Sequence, residues 1–160
     1  MIFVMLGTQD KQFTRLLESI EREINNGIIN EKVIVQAGHT KFNSKKMKIF
    51  DFESKQNLNR YINKADMIIT HAGEGSIMES LSANKPTIVA ARLKKYREHV
   101  NDHQIQIANK MSKNGYVIWC DDLDKLGNYV KKARNFIPKM FCSNNECFCN
   151  FIIEEIESYL

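Results

Sequence analysis

The chain has 160 residues, of which 43% are apolar and 26% charged, and these proportions are typical of one soluble globular domain with a buried core. Its net charge of +4 permits an anionic ligand but is too weak to indicate a nucleic-acid-binding protein. The apolar runs are too short to span a bilayer, and the N-terminal segment MIFVMLG lacks the charged region that opens a signal peptide.

Short apolar runs alternate with helix-period segments along the chain. The predicted strands are 2–6, 33–35, 47–52, 67–69, 87–91 and 116–119. Apolar residues at helical spacing predict helices between these strands, and Asn26-Gly27 and Asn114-Gly115 mark the ends of two of them. This alternation predicts an α/β domain with a single Rossmann-like, doubly wound, mainly parallel sheet.

The stretch ADMIITHAGEGSIME, residues 65–79, combines a buried strand, a loop with two glycines and the start of a helix. Such a loop directs backbone N–H groups and the positive end of a helix dipole at the carboxyl edge of the sheet, where phosphate binds. Gly73 and Gly75 would let the backbone approach a ligand closely. The alternative is a capping box, in which Ser76 and Glu79 satisfy only the helix's own N–H groups.

Loops that follow strands are the expected position of a ligand site, because open sheets bind ligands outside the carboxyl ends of their strands. Four such loops gather at one edge of the predicted sheet. All of them contain glycine, hydroxyl, amide or imidazole groups: 7–8, 36–39, 71–76 and 102–104. Their convergence predicts one ligand site at that edge.

The C-terminal segment 138–160 differs in character, with a polar turn that carries Cys142, Cys147 and Cys149 before a final apolar helix. The cysteine spacing matches neither a zinc C-x-x-C pair nor the disulfide framework of a small secreted protein. In the absence of an export signal we expect reduced thiols in a cytoplasmic protein, and no metal.

Four segments together resemble a known family: MIFVMLGTQDKQFTRLL, QAGH, ADMIITHAGEGSIMESLSANKPTIVA and KKYREHVNDHQIQIA. They are similar to the C-terminal, donor-binding half of MurG-like GT-B glycosyltransferases, and more narrowly to the PssE-type subunit of exopolysaccharide and capsule glycosyltransferases. That subunit is related to the catalytic subunit of the two-subunit enzyme that adds N-acetylglucosamine to dolichol-linked glycans. The resemblance covers about residues 1–135, which form the expected core of one domain over residues 1–160, whereas the tail 136–160 matches nothing.

The resemblance implies a UDP-sugar donor that is bound without a metal. Glu79 would accept hydrogen bonds from the ribose, although its capping role remains the alternative. The diphosphate would lie on the backbone of four residues, Gly73, Glu74, Gly75 and Ser76. Further contacts with the substrate are implied for Gly7, Thr8, His39, Asp102, His103 and Gln104, of which the last three would bind sugar hydroxyls.

Several of these residues also have structural interpretations. Asp102 is equally suited to cap a helix, and Gln104 to a solvated helix position. Thr8 fits an ordinary strand-to-helix turn. His71 either touches the phosphate or packs at the end of its strand. Three residues are candidates for the general base that deprotonates the acceptor: Glu74, His71 and His103.

The resemblance further implies that the acceptor site, and the general base with it, are completed by a separate membrane-anchored partner subunit that recruits this chain to the cytoplasmic face of the membrane. The expected acceptor is a lipid-diphosphate-linked saccharide. Two basic segments, 41–48 and 92–97, could face the partner or the lipid diphosphate, or form solvated surface.

The sequence thus predicts the donor-binding catalytic subunit of a heteromeric inverting glycosyltransferase that transfers a hexose from UDP-galactose, UDP-glucose or UDP-N-acetylglucosamine. Two alternatives remain. One is a nucleotide-binding regulatory subunit without chemistry of its own, and the other is an enzyme like the UDP-sugar epimerases.

Overall fold

A computed structural model describes residues 1–141, so the cysteines predicted to be reduced thiols at 142, 147 and 149 lie outside the described residues. Six parallel strands form one sheet in the order β3-β2-β1-β4-β5-β6. The strands are β1 Ile2–Met5, β2 Val33–Gln36, β3 Met47–Phe50, β4 Met67–His71, β5 Thr87–Ala90 and β6 Ile118–Cys120. This is the doubly wound order of nucleotide-binding folds, and the predicted fold class is confirmed.

Helices cover both faces of the sheet, which is why its strands consist of almost continuous apolar residues. The helices are α1 Thr14–Asn25, α2 Lys55–Lys64, α3 Glu74–Ser82, α4 His103–Lys113 and α5 Leu126–Ala133. Helices α1 and α5 pack on one face, in a core that contains Leu6 and Phe13. On the other face, α2 covers the β1, β2 and β4 part and α3 and α4 cover the β5 and β6 part.

The order of the strands reverses between β1 and β4. From β1 the chain proceeds outward to β2 and β3, and from β4 it proceeds in the opposite direction to β5 and β6. The loops that leave the carboxyl ends of β1 and β4 therefore diverge and open a crevice between them. Because open α/β sheets bind ligands at such a reversal, the fold places Gly7 and Gly73 at the favoured position.

Helix α3 begins earlier than the capping-box interpretation requires. Its first residue is Glu74, and the residue at the N-cap position is Gly73, which has no side chain with which to cap. Ser76 is thus the third residue of the helix, and its carbonyl oxygen accepts a hydrogen bond from the Ser80 hydroxyl at 2.8 Å. The capping box between Ser76 and Glu79 is therefore not formed.

The start of the predicted tail packs on the domain. Lys139 donates its backbone N–H to the carbonyl oxygen of Gly115 at 3.1 Å, and the ring of Phe141 meets Tyr116 edge to face. No helix within residues 1–141 is both long enough and apolar enough to cross a membrane.

Candidate functional site

The floor of the crevice is the imidazole of His71, which lies between two glycines. A Cβ on Gly73 would come within 2.1 Å of His71 Nε2, and a Cβ on Gly7 within 2.5 Å of His71 Cε1. Gly7 also has a φ of +75°, which side chains rarely adopt. The sequence places glycine at both positions because no other residue leaves room for this ring.

His71 is neutral at physiological pH. Burial is the main cause that lowers its pKa to about 4, and the positive charge of Arg92 lowers the pKa further. Nδ1 lies 3.4 Å from the carbonyl oxygen of Met5, which can only accept a hydrogen bond. Since this contact requires a proton on Nδ1, the nitrogen that faces the two glycines, Nε2, presents a lone pair.

The first turn of α3 forms the wall of the crevice beside Gly73. The first hydrogen bond of the helix runs from the N–H of Ile77 to the carbonyl oxygen of Gly73 at 3.1 Å. Within residues 1–141, the N–H groups of Glu74, Gly75 and Ser76 have no acceptor, as expected at a helix N-terminus without a side-chain cap. Three donors at the positive end of a helix dipole favour an anion.

A hollow between α3 and α4 adjoins this turn. It has a volume of about 190 Å³ and an apolar base, and both Glu74 and His103 line its rim. These two candidates for the general base are therefore neighbours, whereas His71 is buried in the crevice floor. Glu79 lies on the opposite flank of α3, in a separate hollow that it shares with Asn59 and Asn63 of α2.

The loop that follows β5 is held by its carboxylates, which accept hydrogen bonds from Arg15 of α1 and from the loop's own backbone. Glu98 is buried, and its carboxylate accepts two hydrogen bonds from Arg15 at 3.0 and 2.9 Å and one from the N–H of Leu93 at 2.9 Å. Asp102 accepts from the N–H of Lys94 at 2.9 Å. The exposed surface of the loop carries Lys94, Lys95, Tyr96, Arg97 and Val100.

Comparison with known proteins decides the family. The sequence matches the family described as the glycosyltransferase family 28 C-terminal domain over residues 1–153. The chain belongs to this family. The match extends beyond residue 135, so the prediction that the tail matches nothing is wrong for residues 136–153.

Curated relatives of this family 28 domain include the UDP-N-acetylglucosamine transferase subunit ALG13 of Candida albicans. It is 36% identical over 94 residues, which cover 59% of this chain and 30% of the relative. The chain thus spans about a third of that relative's length.

Solved structures show the same fold. The solution structure of ALG13 has a TM-score of 0.58 at 24% identity, covering 90% of each chain. The crystal structure of Acinetobacter baumannii MurG has a TM-score of 0.53 at 16% identity, covering 84% of this chain and 45% of MurG. The predicted relation to the C-terminal half of GT-B glycosyltransferases is confirmed at the level of fold.

The family 28 domain brings together some of the predicted site residues. Gly7, His71 and Gly73 are in direct proximity, and the backbone of Glu74, Gly75 and Ser76 continues from them. Thr8 is exposed beside Gly7, and α1 begins only at Thr14, so Thr8 does not cap that helix. No ligand contact of these residues is established by the fold, and their roles remain predictions.

Other predicted residues lie farther along the edge. His39 is exposed and its ring meets Phe52 edge to face at 5.1 Å. Asp102 occupies the N-cap position of α4, but its carboxylate bonds Lys94 and not the N–H groups of the helix. Gln104 is buried, and its side-chain Oε1 accepts a hydrogen bond from the backbone N–H of Arg92 at 3.0 Å, so the interpretation as a solvated position is wrong.

Three charged residues of the site were not predicted: Arg15, Arg92 and Glu98. The expectation that the whole segment 92–97 is a surface is wrong for Arg92, whose side chain is 0% exposed. A signal was present in the sequence, since Arg92 directly follows the predicted strand 87–91. No group of three metal-ligating side chains occurs within the described part of the chain, 1–141.

Proposed function

We propose that this chain is the donor-binding subunit of a UDP-N-acetylglucosamine transferase. The observation that carries the proposal is the first turn of α3, where the N–H groups of Glu74, Gly75 and Ser76 are open beside the crevice at the strand-order reversal. These donors suit the diphosphate of the donor and the charge that builds on it as UDP departs. UDP-N-acetylglucosamine is favoured over UDP-galactose and UDP-glucose because ALG13 relatives carry that donor in their name.

The donor would extend from the crevice along α3. Its diphosphate would lie on the first turn, its ribose would reach Glu79 one turn farther, and its sugar would face the hollow at the α4 side. His71 is a poor general base at neutral pH, because its pKa is about 4. We therefore assign that role to Glu74 or His103, which both line this hollow, or to the partner subunit.

The acceptor in this proposal is a saccharide linked to a lipid diphosphate, and it reaches the site together with a membrane-anchored partner subunit at the cytoplasmic face of the membrane. The word "subunit" in the names of the relatives supports the partner. The exposed part of the β5 loop offers three cations beside Tyr96 and Val100, which are 52% and 65% exposed. Cations and apolar side chains together suit a lipid diphosphate or the surface that carries it.

The exopolysaccharide or capsule setting of the acceptor rests on the sequence resemblance alone. The other basic segment, 41–48, is less suited to contact the lipid diphosphate, because Lys41 is paired with Asp51 at 3.2 Å on the exposed surface near the edge strand β3. We assign no ligand to that segment.

Calorimetry of the purified chain with UDP, UMP and UDP-N-acetylglucosamine tests donor binding. We expect UDP to bind much more tightly than UMP, since the second phosphate is needed to occupy the N–H donors, and we expect EDTA to leave the affinity unchanged. A requirement for Mg²⁺ or Mn²⁺ would contradict the metal-free site.

Transfer assays with the membrane fraction that contains the partner distinguish the alternatives. A transferase converts UDP-N-acetylglucosamine to UDP and a lengthened lipid-linked saccharide only when the partner is present. A regulatory subunit binds UDP but gives no transfer even when the partner is supplied. An epimerase-like enzyme converts the UDP-sugar without any acceptor.

A further inference from the structure

We propose that Arg92 is a positioning residue of the donor site: its buried guanidinium fixes the loop after β1 and supplies a positive charge that attracts the diphosphate of the bound nucleotide. This inference rests on the proposed function, since it assumes that the crevice binds a nucleoside diphosphate. It also gives Gln104 a role that acts through Arg92.

The side chain of Arg92 reaches from the end of β5 to the end of β1. Its guanidinium donates to the carbonyl oxygens of Leu6 and Lys11, both at 2.7 Å, and lies over the ring of Phe13 at 5.2 Å. Leu6 directly precedes Gly7, so these bonds hold one wall of the crevice. Because β4 lies between β1 and β5, the side chain must pass the end of β4, where His71 forms the floor.

The charge of Arg92 has no counter-ion in direct contact within residues 1–141. Its hydrogen bonds all end at carbonyl oxygens, and its Nε is buried without a partner. The carboxylates of Glu98 and Asp10 raise the pKa of Arg92 through their charge, but neither bonds its guanidinium, and that of Glu98 is bonded to Arg15 and to the N–H of Leu93. A buried cation without a hydrogen-bonded counter-ion is costly, and a diphosphate in the adjacent crevice would add a negative charge beside it.

Two further observations agree with this arrangement. The positive charge of Arg92 contributes to the low pKa of His71, so its field reaches the crevice floor. Burial lowers the pKa of Arg92 itself only to about 10, so the guanidinium stays charged at neutral pH. Gln104 holds the backbone from which the Arg92 side chain starts, because its side-chain Oε1 accepts a hydrogen bond from the backbone N–H of Arg92 at 3.0 Å.

The experiment compares UDP with uridine, which lacks phosphate, by calorimetry on the full chain. For Arg92→Met we expect the UDP affinity to fall about 30-fold, as for charges about 8 Å apart at an effective dielectric constant of about 20, while the uridine affinity changes less than about threefold. Arg92→Lys should retain most of the UDP affinity. Arg134→Met, which removes an arginine from the end of α5, is the matched control and should leave both affinities unchanged.

The pKa of His71, measured by NMR titration, is a second test, because it would not change if Arg92 had a merely structural role. In folded Arg92→Met the pKa of His71 should rise, because one positive charge has been removed beside it. An unchanged pKa, together with equal losses of UDP and uridine affinity, would mean that Arg92 supports only the fold, and the proposal would be overturned.

Gln104→Leu tests the same proposal if Arg92→Met does not fold. It should weaken UDP binding several-fold although UDP lacks the N-acetylglucosamine; a loss confined to UDP-N-acetylglucosamine would assign Gln104 to that transferred sugar and overturn its role through Arg92. Failure of the wild-type chain to bind UDP would defeat the proposed function itself. Wild-type binding of UDP with undiminished binding by Arg92→Met would defeat only the present inference.

Discussion

The loops that follow β4 and β5 leave the same edge of the sheet as neighbours, yet they are built in opposite ways. The β4 loop is two residues long, Ala72 and Gly73, and leads into a helix whose first N–H groups have no acceptor within the described residues. The β5 loop, residues 91–102, is long and charged, and its carboxylates are bonded to Arg15 and to its own backbone.

The difference separates the proposed binding surface, which is the first turn of α3, from a frame, which is the internally bonded β5 loop. A binding surface needs donors that no protein group has already occupied, and a short glycine loop leaves them free. A long loop at the same edge would be mobile without internal bonds, so its buried ion pair and hydrogen bonds hold it in one conformation. The predictions below test this division, from the largest expected effect to the smallest.

The frame should fail when its central carboxylate is neutralised. Glu98→Gln leaves Arg15 and Arg92 without their common negative neighbour, and we expect the free energy of unfolding to fall by about 4 kcal/mol. Denaturant unfolding measures this change. Glu31→Gln is the matched control, because Glu31 also pairs with an arginine but at the exposed surface, and it should cost less than about 1 kcal/mol. Equal effects of the two variants would abolish the distinction between frame and surface.

Acid should destabilise the crevice floor before it affects the rest of the site. The folded-state pKa of His71 is about 4 against an ordinary value of 6.5, so the folded state binds fewer protons and stability is lost as pH falls from 6.5 to 4. The loss attributable to His71 is about 3 kcal/mol. Unfolding curves between pH 7.5 and 4 measure it, with His71→Gln expected to flatten this pH dependence and exposed His39→Gln to leave it intact. If His71→Gln kept the pH dependence of stability seen in the wild type, this loss could not be assigned to His71.

The two glycines of the α3 loop region should respond differently to the same substitution. Gly73→Ala places a Cβ against His71 and should cost about 2 kcal/mol, whereas Gly75→Ala has open space and should stabilise by about 0.5 kcal/mol. Thermal unfolding measures both. In a His71→Ala background the cost of Gly73→Ala should largely disappear, because the ring that it meets is absent. A cost that persists there would place the strain elsewhere.

The smallest effect concerns Glu79, which forms no capping box with Ser76. Glu79→Gln should weaken UDP and uridine equally, by about tenfold, since both contain the ribose and a lost charge-assisted hydrogen bond is worth about 1.5 kcal/mol. Calorimetry measures the affinities, and the melting temperature should not change. A lower melting temperature with unchanged affinity would restore a structural role for Glu79.

Much of the fold follows from local sequence. The apolar runs and the intervening helical spacing predicted all six strands. The glycines around His71 predicted where the crevice opens, because Gly73 and Gly7, the latter with a positive φ, leave room for the ring. The start of α3 was harder to predict from the sequence. Ser76 and Glu79 have capping-box spacing, but tertiary packing begins the helix at Glu74.

The amino-acid sequence by itself determined the doubly wound sheet, the glycine loop after β4 and the family, because periodicity and short motifs are local properties. Only the tertiary structure decided which charged residues are buried. Arg92 lies beside Lys94 and Lys95 in a run that reads as surface, yet its bonds go to Leu6 and Lys11, more than 80 positions away. Burial of a charge depends on distant carbonyl groups that the fold brings within reach, and no local pattern encodes their positions.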